Sequence, residues 1–428
     1  MITCYLKDAI FQERELDDFK EIALSIEKAR DRLRKFPIGA ILEILGKLGS
    51  NILADKDLNH REGISYLCLW LRKNNLRSLI ELNLRDIRYL DEFVSVSRNS
   101  GIKAQPRGII CHWIAGNITT LAVFSLVESV MAKNGNIVKV PEGSADLIIR
   151  ILKKLGEIEV LFKDNHYSGR DILNSISILS FSSSETLRSR EFSMIADGKV
   201  IWGGKQAVSS ILALPQQEHC ESIIFGPKYS FSVFDRGFIE EEDMDGALKK
   251  TVLDIIAFDQ RGCSSPHVVF FEKSGVDIKE LAARLANCFK EITKKYPMRE
   301  ITPYASSEIL DVRARYYLDP EKDIIASDGC GWTVLINKDL RLEEPVQNRT
   351  IFIKEVVTID DVIQLITKKV QTIGVAIKEE KKRERFCSEV TYHGVARCVV
   401  PGLMNNFDAP WDGIFLLSRL VRFVSLRT

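Results

Sequence analysis

Phe258-Asp-Gln-Arg-Gly-Cys263-Ser-Ser-Pro-His267 sets a cysteine directly after a glycine, in a turn closed by proline. Upstream, over residues 243–259, Leu248, Val252, Ile255 and Ile256 recur at helical spacing. Downstream, His-Val-Val-Phe-Phe-Glu predicts a buried strand. The pattern therefore places Cys263 at a helix-to-strand corner, where a thiol can stand clear of the packed elements and meet a substrate. Cysteine is the most nucleophilic of the common side chains. The alternative for any intracellular cysteine is a small buried hydrophobe.

Working outward, residues 108–214 alternate between strand and helix. Gly-Ile-Ile-Cys-His-Trp113 predicts a buried strand, residues 119–132 a helix, and Gly135-Asn-Ile-Val-Lys-Val140 the next strand. Phe162, residues 176–181 and residues 199–202 belong to later units of the same alternation. Strands separated by helices of this length favour a parallel sheet with right-handed crossovers. Ahead of it, the first hundred residues read mostly as helix, with Leu16, Phe19, Ile22 and Ile26 stopping before Pro37 and a second segment over 78–94. Beyond the cysteine, Asp277 caps a predicted helix running to Pro297, and residues 332–336 and 350–357 are strand-like. Thr358-Ile-Asp-Asp361 is a capping box opening another helix. The charge run over 378–385 reads as a solvated helix face or loop. There is no repeat, low-complexity tract or Gly/Ser linker. A domain boundary is expected near residue 225.

The 428 residues suggest about two or three domains. With 45% hydrophobic and 28% charged residues the composition is that of a soluble globular protein. Its net charge of +1 does not recommend nucleic acid or an anionic membrane as partner. The N-terminal stretch turns polar too soon for a signal peptide, and the apolar run over 118–127 is too short to span a bilayer. A cytoplasmic protein is expected. Its nine cysteines lack CxxC pairs and its six histidines are scattered, so reduced thiols and no metal site are expected.

Further segments carry candidate chemistry. In Trp113-Ile-Ala-Gly-Asn117, between a strand and an apolar helix, the asparagine amide suits a developing oxyanion, though a helix cap or turn residue is the commoner role. In Val138-Lys139-Val-Pro-Glu142, a lysine and an acid leaving a strand end suit a ribose diol, and are also commonplace at a strand end. In Val200-Ile-Trp-Gly203-Gly204-Lys205, paired glycines let a helix N-terminus approach a phosphate, as they also mark any tight turn. Ile224-Phe-Gly-Pro-Lys228 is a strand leading into a turn without evident chemistry.

In this order along the chain, these segments resemble the aldehyde dehydrogenase superfamily over residues 100–428. The finer resemblance is to the LuxC family of bioluminescence-type acyl-CoA reductases, carried by Phe225-Gly-Pro-Lys-Tyr-Ser230, Asp259-Gln-Arg-Gly-Cys-Ser-Ser-Pro266, Gln371-Thr-Ile-Gly374 and the ending from Trp411-Asp-Gly413 to Leu420-Val-Arg-Phe-Val424. It implies an α/β, aldehyde dehydrogenase-like fold. A Rossmann-type cofactor domain would cover 1–225, mostly helical over 1–95 and rejoined by 398–428, and a catalytic thiol domain 226–397, with the active site in the cleft between. Cys263 would be the nucleophile, with Asn117 and the Cys263 backbone N–H as oxyanion donors. Trp113, Lys139, Glu142, Gly203 and Gly204 would hold NADPH or NADH. His219 would tune the nicotinamide region or aid proton transfer, against the alternative of a surface histidine beside Glu218 and Glu221. His267 reads as core, and Pro401-Gly402 with Asn405-Asn406 resembles a loop closing the acyl tunnel.

Two positions depart from the superfamily. Ile224 stands where oxidising members place the glutamate that activates water, so an acyl-cysteine should resist hydrolysis. Glu142 matches the acid that pairs with ribose hydroxyls, and a carboxylate there repels a 2′-phosphate, leaning towards NADH against the family's usual NADPH. The implied reaction reduces an acyl-CoA or other acyl thioester to an aldehyde. An acyl-protein synthetase partner and a homo-oligomer come with the resemblance. The alternatives are a cysteine acyltransferase or thioesterase without redox chemistry, and a non-catalytic aldehyde dehydrogenase-like scaffold.

Overall fold

A computed structural model describes residues 2–116, 118, 120–241, 243–298 and 301–427. The chain forms two compact units, Met1–Gly226 with Phe407–Thr428, and Pro227–Asn406.

The first unit is built on a seven-stranded sheet in the order Glu221–Phe225, Gly198–Trp202, Ile109–Trp113, Gly135–Lys139, Ile176–Ser180, Ile2–Lys7, Ile10–Leu16. The first five strands of that order are mutually parallel. Chain order therefore reverses between Ile109–Trp113 and Gly198–Trp202, the doubly wound arrangement in which ligands bind beyond the carboxyl ends of the strands. Alternation along Ile109–Trp113 divides the core: Ile110 joins the cluster with helices Ile38–Ala54, Ile64–Trp70 and Lys73–Leu84, while Ile109, Cys111 and Trp113 join the cluster with Ile22 and Ile26 of helix Lys20–Leu33. Helix Ile38–Ala54 lies against the hairpin strand Glu159–Phe162, and Gly39 permits this, because a Cβ there would lie 2.4 Å from the Phe162 ring. No single helix among the described residues is long and apolar enough to cross a membrane.

Several local expectations change. Residues 2–16 are a β-hairpin rather than the start of a helical region, and Ile2–Lys7 pairs antiparallel with Ile176–Ser180. Ile2, Cys4 and Leu6 alternate inward as a strand requires. The turn is made by Asp8 and Ala9, both at φ 53°, in place of the usual Asn-Gly. Leu16 ends the hairpin, and the helix begins at Lys20. Residues 78–94 divide between helix Lys73–Leu84 and a short 3-10 turn, Ile87–Leu90. Glu159–Phe162 pairs only with Asn165–Ser168, outside the main sheet.

The second unit has its own seven-stranded sheet: Asp323–Ala326, Thr333–Ile336, Thr350–Val356, Val268–Glu272, Tyr229–Phe234, Val370–Ala376, Arg397–Val399. All but the first strand run parallel. Val268–Glu272 is buried throughout and feeds both faces, Val268 and Phe270 into one cluster, Val269 and Phe271 into the other. Burying such a side chain contributes about 1.5–3 kcal/mol. Asp277 caps helix Ile278–Lys295 as predicted. The Thr358–Asp361 capping box is formed but opens only a 3-10 turn, Ile359–Leu365, because the chain must re-enter the sheet at Val370. The charge run lies on helix Glu380–Tyr392, and Lys382 is not simply solvated: its ammonium bridges Asp235 and Glu272.

Candidate active site

In the first unit a cavity of about 700 Å³ opens where the parallel strands end, at the switch in strand order. Trp113, Lys139, Gly203 and Gly204 all line it, at or just past the carboxyl ends of three strands, the two glycines following Gly198–Trp202. Trp202 stacks on Phe225 with ring centroids 3.9 Å apart, and the Gly203 N–H donates to the Phe225 carbonyl at 3.2 Å, which fixes the turn. Gly204 begins helix Lys205–Leu212, whose first turn receives no side-chain cap. Its backbone is extended, and a Cβ built there meets nothing within 4 Å. Packing within the protein therefore does not demand a glycine here, while the bare backbone leaves the helix N-terminus open to an anion. The Lys139 ammonium sits 4.7 Å above the Phe181 ring, and among the described residues no carboxylate pairs with it. Burial pushes its pKa down. An unpaired, half-buried cation beside an uncapped helix N-terminus fits the phosphates and ribose of a nicotinamide dinucleotide.

Glu142 and His219, also expected in the site, lie elsewhere. Glu142 is exposed and lines a different cavity of about 500 Å³, shared with Tyr5, Phe11 and Lys153. It stands in the turn after the strand, closed by the Ser144 N–H donating to the Pro141 carbonyl at 3.0 Å. His219 is exposed, and its Nε2 meets Asp197 Oδ1 at 2.8 Å. Asp197 precedes Gly198–Trp202 and accepts the Ile109 N–H at 2.7 Å, so it marks the amino ends of these strands. His219 is thus placed at the end of the sheet opposite the cavity. Asn117 lies outside the described residues. Ile224 is half-buried on Glu221–Phe225.

In the second unit, Cys263 is half-buried between a short 3-10 turn, Ala257–Gln260, and strand Val268–Glu272. The approach to it is strained. Phe258, Asp259 and Gln260 have φ of 56°, 46° and 65°, and Gln347, Asn348 and Arg349 have φ of 62°, 51° and 59°. A non-glycine residue in this region costs about 1–2 kcal/mol. The two left-handed turns hold each other: the Asn348 N–H donates to the Asp259 carbonyl at 3.0 Å, and the Thr350 N–H to Gln260 Oε1 at 2.9 Å. Arg349 donates to Asp259 Oδ1 from Nε at 2.8 Å, with its second contact at 2.7 Å, in a pair whose side chains are only 4% and 8% exposed. Gln260 Nε2 donates to the Pro266 carbonyl at 2.8 Å, closing the turn around the thiol. Ser230 Oγ donates to the Cys263 carbonyl at 2.7 Å and accepts the Thr372 N–H at 3.1 Å. His267 is buried, as its place before the strand requires, and burial pushes its pKa down to about 3.

The remaining thiols differ. Burial pushes Cys68 and Cys288 up to about 11 and raises Cys4, Cys111 and Cys220 as well. Cys387 is the exception: a hydrogen bond from Cys398 pulls it below the usual thiol range. This pair, on helix Glu380–Tyr392 and strand Arg397–Val399, is therefore the alternative thiol site to Cys263.

The family model for the LuxC acyl-CoA reductases matches residues 47–423, which include both the switch-point cavity and the held cysteine turn. The chain belongs to the LuxC family. Its LuxC relatives include the long-chain acyl-protein thioester reductase of Vibrio harveyi, 25% identical over 97% of this chain and 88% of that protein. The reductase of the same name from Aliivibrio fischeri is 23% identical over 82% and 71%. Among solved structures, 1-pyrroline-5-carboxylate dehydrogenase from Thermus thermophilus superposes with a TM-score of 0.70 at 11% identity, covering 100% of this chain and 90% of that one. Glyceraldehyde-3-phosphate dehydrogenase GapN from Methanocaldococcus jannaschii, in complex with NADP, gives 0.64 at 11% over 99% and 97%. This LuxC member therefore has the aldehyde dehydrogenase fold.

The residues that hold the cysteine turn were not among the site residues read from sequence. Asp259 and Gln260 stand in the quoted stretch, but their partners Arg349 and Thr350 lie 90 residues away. The local signal was the polar triplet Gln347-Asn348-Arg349 directly before the apolar strand Thr350–Val356.

Proposed function

We propose that this protein reduces a long-chain acyl thioester to the free aldehyde with a reduced nicotinamide nucleotide, by way of an acyl group carried on Cys263. As a LuxC family member it is an oxidoreductase acting on acyl thioesters. The observation that carries the site assignment is the turn around Cys263, where two strained left-handed segments, a buried ion pair and a bridging serine all serve to place one half-buried thiol.

The Cys263 thiolate attacks the thioester carbonyl, a C–S bond forms, and the donor thiol leaves with a proton. Asn117 is assigned to the oxyanion, where loss of one donor usually costs about a hundredfold to a thousandfold. A bound nicotinamide supplies the hydride that takes the acyl group to the aldehyde level. Protonated and collapsing, the resulting thiohemiacetal returns the Cys263 thiol and releases aldehyde. Ile224 offers no base to water, so the acyl-enzyme waits for reduction rather than hydrolysing.

Lys139, Gly203, Gly204 and Trp113 hold the nucleotide in this scheme. Glu142 lines another cavity than Lys139 does, and the unpaired Lys139 ammonium favours NADPH. Lys139→Met should then weaken NADPH binding more than NADH binding in titrations with each nucleotide; equal losses would reject that preference. The name of the relatives supports a protein-borne acyl donor; an acyl-protein synthetase that loads it is part of the proposal, with acyl-CoA as the simpler donor. A cytoplasmic homo-oligomer completes the proposal. Incubation with a long-chain acyl-CoA and NADPH, followed by mass spectrometry, should yield aldehyde. Fatty acid without aldehyde would favour a thioesterase, and neither product with no bound acyl group would favour a scaffold.

A further inference from the structure

Residues 400–406 belong to no helix or strand, yet Met404 and Asn405 are buried. Their hydrogen bonds explain why. Asp254, in the last turn of helix Met244–Ile256, is itself buried, and its carboxylate oxygens accept the backbone N–H groups of Gly402 at 2.5 Å and Met404 at 3.2 Å. The Asp254 carbonyl lies where a helix runs out of intrahelical donors, and Asn405 Nδ2 donates to it at 2.7 Å. A carbonyl can only accept, so the amide is fixed in this sense and its oxygen must face the other way. There Asn405 Oδ1 accepts from Ser264 Oγ at 2.8 Å and from Ser265 Oγ at 3.2 Å. Gly262 leaves room for this: a Cβ on it would lie 3.3 Å from both Asn405 Oδ1 and Ser265 Oγ.

We infer that Asn405 is a positioning residue for Cys263: anchored on Asp254, its amide fixes the two serines that follow the thiol. The inference rests on Cys263 being the nucleophile. Residues 261–266 lie outside the strand ladder, so side-chain bonds, together with the Ser265 N–H to Gly262 carbonyl bond at 3.0 Å, fix where the thiol sits. Ser230 holds the Cys263 carbonyl and Gln260 holds the Pro266 carbonyl, but only Asn405 among the described residues takes both serine hydroxyls. Without it two buried hydroxyls lose their acceptor and regain one only by moving towards water, carrying the neighbouring thiol with them. Asp254 is consistent with an anchor. Burial lifts its carboxyl to about 7 against the pull of the Gly402 and Met404 N–H groups and of Arg397, so an interior acid is kept here at a cost in solvation. The same network gives a role to the Pro401-Gly402 and Asn405-Asn406 segment.

The test uses the full chain and long-chain acyl-CoA. Release of CoA thiol in the first turnover is followed for wild type, Asn405→Ala, Ser264→Ala, the Asn405→Ala/Ser264→Ala double variant and Cys263→Ala, with steady-state KM and thermal melting alongside. A displacement of about 1 Å at a reacting atom costs on the order of a hundredfold in rate. Asn405→Ala should lose acylation rate on that scale while KM for acyl-CoA moves by less than about threefold, as expected of an interaction felt mainly in the transition state. Ser264→Ala should slow the same step, and the double variant should be little slower than Asn405→Ala, because both substitutions remove one bond. A wild-type acylation rate in folded Asn405→Ala overturns the inference, as does a double variant in which the two losses multiply. Should Asn405→Ala fail to fold, Ser264→Ala decides: slowed acylation with a wild-type melting curve supports the inference, and an unchanged rate overturns it. Full activity of Cys263→Ala would sink the nucleophile and this inference together. A dead Cys263→Ala beside an unaffected Asn405→Ala sinks the inference alone.

Discussion

Arg349→Met removes the guanidinium from one of the most buried ion pairs in the chain and leaves the Asp259 carboxylate without its cation. Methionine fills much of the same volume, so the loss is mainly electrostatic. Four contacts go with the guanidinium: two to Asp259 Oδ1, one to the Tyr296 carbonyl at 2.9 Å and one to the Pro297 carbonyl at 3.3 Å. Breaking one side of a buried pair costs about 3–5 kcal/mol. That is a large part of the roughly 5–15 kcal/mol that separates a typical folded domain from its unfolded chain. The second effect concerns place rather than stability. The pair ties two left-handed turns together, and without it those turns can relax at about 1–2 kcal/mol per residue, moving Cys263 as they do. The Asp259→Leu/Arg349→Met double variant separates the two effects. Replacing both charges by apolar groups should restore most of the stability, whereas the relaxed turn should keep acylation slow. Urea denaturation followed by tryptophan fluorescence and the first-turnover release of CoA measure the two quantities on the same samples. A single variant within about 1 kcal/mol of wild type, acylating at the wild-type rate, would refute the argument that this pair holds the turn.

Gly204→Val should cost no more than about 1 kcal/mol of stability, the loss of a glycine N-cap, since no atom lies within 4 Å of the new Cβ, but should weaken nucleotide binding roughly tenfold or more by filling the approach to the helix N-terminus; unchanged affinity by titration would move the nucleotide elsewhere. Asp254→Asn should alter how stability depends on pH. Burial raises the native carboxyl to about 7, so the native state keeps a proton that the unfolded chain has released. The stability this proton contributes is complete below the unfolded value and is lost as pH rises through about 7, an effect of at most about 4 kcal/mol. Urea midpoints at pH 5 and pH 8 should therefore fall more for wild type than for the variant, and parallel falls would contradict the assignment. Ile224→Glu should turn the acyl-enzyme towards hydrolysis, raising fatty acid release on the order of a hundredfold if the new carboxylate reaches the attacking water; no rise in a folded variant would mean that this position does not face the acyl group.

What could be read in the sequence was local. The run Gly-Ile-Ile-Cys-His-Trp and the segment Gly135-Asn-Ile-Val-Lys-Val declared their strands because a parallel sheet covered on both faces needs uninterrupted apolar residues. Gly203-Gly204 and Lys139 were legible because strand ends carry their chemistry next to the strand itself. The N-terminal hairpin was hidden by its Asp8-Ala9 turn, whose left-handed residues are neither glycine nor asparagine. Glu142 and His219 were assigned by distance along the chain, and the fold placed them by direction: one turn leads Glu142 to another opening, and His219 precedes its strand rather than following it. Arg349 and Asn405 bond the Cys263 turn from 90 and about 140 residues away, through side-chain hydrogen bonds that no periodicity encodes.

The central claim is that one thiol among nine carries the acyl group. The protein is incubated with a radioactive long-chain acyl-CoA without nucleotide, digested, and the labelled peptide identified, with Cys263→Ala treated in parallel. The label should fall on the peptide containing Cys263, survive until NADPH is added, and then leave as aldehyde, while the alanine variant stays unlabelled. Label on Cys387, whose thiol a hydrogen bond from Cys398 draws towards ionisation, or full labelling of the Cys263→Ala protein, would contradict it.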